Sequence, residues 1–98
     1  MMSETDAINI LIACKDLITR VGMDFPNKKL PNTTFTEADI RVIQGFDRVQ
    51  ADPIVAGPGL LGHLQQAAGL SKSEIIKLEQ LRRLVYNNRH FVANNRSG

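Results

Sequence analysis

Three helix-start signals constrain what this 98-residue chain can fold into. Ser3 with Asp6, Thr36 with Asp39 and Ser71 with Glu74 each set a hydroxyl three residues ahead of a carboxylate. In that spacing the hydroxyl and the carboxylate satisfy amides that the first turn of a helix leaves unpaired. The carboxylate also sits at the positive end of the helix dipole. Apolar residues at three-and-four spacing follow each signal, as one buried helical face requires.

Behind Ser3 the stripe is Ala7, Ile10, Leu11, Cys14, Leu17, Ile18 and Val21, with Gly22 as the stop. Ile8 and Ile12 widen that side, as expected of a helix contacted on two sides. Behind Thr36 the stripe is Ile40, Ile43, Phe46 and Val49, with Phe35 placed to staple Ile40 and Asp52-Pro53 ending the helix. Behind Ser71 it is Ile75, Leu78, Leu81 and Val85, reaching Val92 if the helix continues, with Leu70 and Ile75 in staple positions. A fourth helix lacks such a box: it starts near Pro58 or Gly59, stops at Gly69, and turns Leu60, Leu61, Leu64 and Ala68 inward. The pattern predicts a single all-α domain over 1–98, a compact four-helix domain with helices near 4–21, 37–51, 59–68 and 72–90. Met23 to Thr34, with two prolines, reads as an irregular connector.

Composition excludes several classes. A chain of this length supports one modest core. With 43% apolar and 22% charged residues it matches neither a disordered nor a membrane-embedded chain. No apolar run is long enough to span a bilayer, since Ile8 to Cys14 is broken by Asn9 and closed by Lys15 and Asp16. The start, MMSETDAI, carries acid where a secretory signal carries base, so no export is expected. Cys14 is the only cysteine, which leaves no intrachain disulfide and no thiolate metal site within one chain. It reads as a small buried hydrophobe, and a cytoplasmic setting is the expectation.

Enzymatic signals are weak. Gly57-Pro58-Gly59-Leu60-Leu61-Gly62 has the letters of the dinucleotide fingerprint G-x-G-x-x-G, but that chemistry needs a preceding strand and a parallel sheet. Here the glycines and proline suit a helix start. His63 and His90 lack a metal-type partner at metal-ligand spacing. Asp47 and Asp52 are separated by a helix end, and Ser71 and Ser73 have capping roles without a histidine. The expectation is a non-enzymatic protein with no catalytic residues, no metal and no cofactor.

Leu61 to Glu79, LGHLQQAAGLSKSEIIKLE, lays out a short helix, a glycine turn and a capped second helix. Leu64 and Ala68 precede Gly69; Leu70, Ile75 and Leu78 follow it. This segment resembles the helix-turn-helix family of DNA-binding domains over about one fifth of the chain, and with the Thr36 helix in front it can be extended to a trihelical unit over 36–90. The resemblance implies double-stranded DNA as partner and a role in transcription regulation, with the second helix entering the major groove. Carried over by position, Lys72 and Ser73 sit at the groove-entering end, Ile76, Lys77 and Gln80 follow, and Arg83 is placed for a phosphate. Lys72, Lys77 and Arg83 are assigned to phosphates; Ser73, Ile76 and Gln80 to base edges, where Ile76 can meet a thymine methyl. The charge distribution is compatible: residues 71–98 hold six basic against two acidic side chains, whereas 1–70 hold six against eight.

Two positions depart from the family. Gln65 stands where a small residue is preferred, and Ile76 where a polar one is usual. With Ile8, Ile12 and Leu84, Ile76 supplies apolar positions off the main stripes. The alternative is therefore a protein–protein interaction module, an adaptor or inhibitor, that binds another protein through helices one and four at Ile8, Ile12, Ile76 and Leu84. The two readings can coexist, and a homodimer is expected, because helix-turn-helix proteins commonly bind as two-fold dimers.

Overall fold

The computed structural model describes residues 2–22 and 35–87. Among these residues the fold is all-α, with helices α1 (Glu4–Val21), α2 (Glu37–Ala51), α3 (Leu60–Ala67) and α4 (Lys72–Asn87) and no strand. The expected connector over 23–34 and the expected continuation of the last helix through 88–90 lie outside the described residues, as do Val92 and His90.

The caps form where the sequence sets them. Ser3 Oγ accepts the Asp6 N–H at 3.1 Å. At α2 the box is reciprocal: Thr36 Oγ1 accepts from Asp39 N–H at 3.3 Å, and Asp39 Oδ2 accepts from Thr36 N–H at 3.0 Å. The α3 start differs by one residue from the expected 59–68, because Gly59 holds φ +83 and so lies outside the helix that Leu60 begins. The residues before the G-x-G-x-x-G letters form turns, not a strand.

Helix α1 is the hub: α2, α3 and α4 each lie against it. Its Ala7, Leu11, Cys14 and Ile18 are fully buried and meet Ile43, Phe46 and Val49 of α2, Leu64 of α3, and Leu78, Leu81 and Val85 of α4 in one core. Such burial is what stabilises a chain of this size, at roughly 25 cal/mol per Å² of apolar surface removed from water. Gly45 lets α1 and α2 approach closely, since a Cβ there would stand 3.0 Å from Ile10 Cγ2. Between α2 and α3, Val55 is fully buried in a connector that reads from sequence as a mere link. Asp52 builds that connector by accepting the N–H groups of Ile54 (2.9 Å) and Val55 (3.2 Å), and it also accepts the Met2 N–H at 3.1 Å. No described helix is long and apolar enough to cross a membrane.

Candidate functional site

The stretch singled out by sequence folds into two helices joined at Gly69. The turn closes α3 with a pair of backbone bonds, Gly69 N–H to Gln66 O at 3.0 Å and Leu70 N–H to Gln65 O at 2.9 Å. This is the Schellman arrangement, which requires a left-handed residue after the last helical one. Gly69 supplies it with φ +81. The turn sends Leu70 into the core beside Leu64, where both are buried. Gln65, the departure from the family, is half-buried and contributes its backbone carbonyl to the closure.

Helix α4 then starts on a reciprocal box. Ser71 Oγ accepts from Glu74 N–H at 3.2 Å, and Glu74 Oε1 accepts from Ser71 N–H at 2.9 Å. The second carboxylate oxygen, Oε2, takes the Lys15 ammonium of α1 at 2.5 Å. One side chain thus caps α4 and ties its first turn to the hub. The Lys15 hydrogen bond, followed by the Ser71 amide, holds the Glu74 carboxyl below its ordinary range.

Further along, Asp47 of α2 receives Arg82 Nε on one oxygen and the Tyr86 hydroxyl on the other, the latter at 2.6 Å. The Arg82 guanidinium lies 5.6 Å from the Tyr86 ring centroid, within cation–π range. These contacts accompany a rotation of α4 that turns Leu78, Leu81 and Val85 inward.

The six residues assigned to DNA do not all share one face. Lys72, Ser73 and Arg83 are exposed, and Ile76 is 56% exposed. At about 100° per residue, Lys72, Ile76 and Arg83 fall on one ridge with Ser73 and Gln80 beside it, whereas Lys77 points about 100° away from Ile76. Lys77 and Gln80 are half-buried, and Gln80 Oε1 is buried without a hydrogen-bond partner among the described residues. Glu79 is also half-buried on this helix. Arg82, committed to Asp47, adds nothing to the ridge.

The four residues assigned to a partner divide as well. Ile8 and Leu84 are half-buried against the core, whereas Ile12 is 42% exposed and Ile76 remains open to solvent. Ile54, in the connector before α3, is exposed to a similar degree and was not among the residues that sequence reasoning named. The pairings of Lys15 with Glu74 and of Asp47 with Arg82 and Tyr86 were not foreseen either, because they depend on which helices meet and leave no local signal.

Comparison of the chain with protein-family models, with curated proteins and with solved structures finds no match.

Proposed function

We propose that this protein is a small non-enzymatic DNA-binding regulator that presents the N-terminal half of α4 to the duplex. One observation carries the reading: the Gly69 turn seats Leu70 in the core while Lys72, Ser73 and Ile76 stay exposed at the start of the next helix. A groove-entering helix needs that combination, a rigid inner anchor and an open outer face at its first turns. In this reading Lys72 and Arg83 meet phosphates on either side of Ile76, Ser73 faces base edges, Gln80 reaches a base edge only if its half-buried amide turns outward, and Lys77 reaches the backbone from the flank. Binding by a two-fold dimer places one α4 in each half-site.

The test is fluorescence anisotropy on duplex DNA across a salt series. Two or three neutralised phosphates per α4, about four to six for the dimer, predict a log–log slope of about −4 to −5. Absence of salt-dependent binding at micromolar protein overturns the reading.

A second reading, a protein-binding adaptor or inhibitor, is favoured by the exposure of Ile76 and Ile12 on the helices named for it. In that case Ile76→Glu abolishes capture of a partner chain or of a second copy while the fold is retained. A strict monomer by light scattering, with the same elution for wild type and variant, excludes the second copy.

A further inference from the structure

A groove runs between α1 and α2, and no residue of α4 lines it. Its larger part, about 700 Å³, is bounded by Met2, Asp6, Asn9, Ile10, Arg48 and Asp52, with Ala51 beside them. It continues for about 240 Å³ past Ala13, Val42 and Gly45 to Arg41. Asn9, Ile10 and Arg48 line both parts, so the two form one channel. Arg41 to Asp52 spans eleven residue steps, which is roughly 16 Å along α2.

The chemistry along the channel is graded. The floor is apolar, built from Ile10, Ala13 and Val42. Gly45 lets Ile10 of α1 seat directly on α2, and the Arg48 guanidinium lies beside that contact, with Nη2 3.8 Å from where a Gly45 Cβ would stand. Arg48 is exposed and makes no ion pair among the described residues. Among the described residues the ion pair of Arg41 is with its own-helix neighbour Glu37, at 4.0 Å and with both side chains largely in solvent. Asp6 and Asp52 stand at the opposite end, and Asp52 is occupied by three backbone N–H groups.

We propose that the α1–α2 groove docks an acidic amphipathic peptide segment of a partner protein, its apolar side chains on Ile10, Ala13 and Val42 and its carboxylates against Arg41 and Arg48. Two guanidiniums about two helical turns apart suit carboxylates spaced along one side of a peptide, and the guanidinium fork favours carboxylate geometry. A nucleic-acid backbone is disfavoured, because its uniform charge meets Asp6 and Asp52 at one end and gains nothing from the apolar floor. The inference is independent of the role given to α4.

The experiment is a titration of the full chain, followed by amide ¹H–¹⁵N shifts, with two synthetic helix-forming peptides. Both carry leucines on one face; one is flanked by glutamates and the other by lysines. The glutamate peptide is expected to shift the amides of Asn9, Ile10, Ala13, Val42 and Gly45 and to leave the α4 ridge unmoved. The lysine peptide binds more weakly by about tenfold or more, and Arg48→Glu brings the glutamate peptide down by a similar factor, because a charge reversal at a binding rim changes attraction to repulsion. Arg48 is exposed, and circular dichroism of the variant checks its fold. Shifts centred on another surface, an equal response to both peptides, no response at millimolar peptide, or displacement of the groove shifts by duplex DNA overturns the proposal.

Discussion

Cys14 sits at the α1–α2 seam, fully buried, with Sγ 3.9 Å from the Val42 carbonyl oxygen. Burial pushes its thiol up to about 12. A native thiol of that kind is almost wholly protonated at pH 8, and the thiolate is the reactive form. Alkylation in native buffer is therefore expected to be negligible and to appear only as urea unfolds the chain; rapid labelling of the folded protein contradicts this. Phe46, the largest fully buried side chain, marks the other extreme of sensitivity. Phe46→Ala should cost about 3–5 kcal/mol in urea unfolding, from lost transfer energy and the cavity left behind. By contrast Ile76→Glu, at a position 56% exposed, should change stability by less than about 0.5 kcal/mol. A large loss there shows that Ile76 belongs to the core. The burial of these residues follows from the stripes in the sequence, with Val55 the exception: a single apolar residue among turns gives no periodicity, and only Asp52 folding the connector inward buries it.

At the scale of elements, α3 and α4 depend on one turn and one box. Nothing stands within 4 Å of a Cβ added at Gly69, so Gly69→Ala meets no obstruction and suffers only the left-handed backbone. The expected loss is about 1–2 kcal/mol in thermal or urea unfolding, and an unchanged midpoint rules out the positive-φ turn. The Glu74 carboxyl is held low by Lys15 and the Ser71 amide. A carboxylate lowered in the folded state contributes its full stabilisation above its unfolded pKa, about 4.3, and loses it as pH falls from there through the lower folded-state pKa. Glu74→Gln keeps an acceptor for the Ser71 amide but removes the charge. The stability gap between wild type and Glu74→Gln should thus shrink from pH 7 to pH 3; a gap that stays constant shows that the charge is irrelevant. The box itself is legible in Ser71 and Glu74, whereas the choice of Lys15 among the chain's cations is not, because it depends on α4 landing beside α1.

At the scale of the molecule, α1 gathers the other helices, and Asp47 of α2 is linked to α4 through Arg82 and Tyr86. Arg82 and Asp47 keep 43% and 28% of their side-chain surface in solvent, so water screens the pair. A double-mutant cycle over Asp47→Asn and Arg82→Met should give a coupling of about 0.5–1 kcal/mol. No coupling shows that the apolar stripe alone orients α4. This rotation matters for the site: it directs Lys72, Ile76 and Arg83 outward together and turns Lys77 to the flank.

The sequence determined where helices begin, which face of each is apolar, and where the chain turns, because caps, three-and-four spacing and a glycine after a helix act within a few residues. Tertiary structure decided what those faces meet: α1 as hub, Arg82 drawn to Asp47, Ile8 and Leu84 set against the core while Ile12 and Ile76 stay open, and the groove above Gly45. Those outcomes depend on distances between residues far apart in the chain, and a linear pattern contains no measure of such distances.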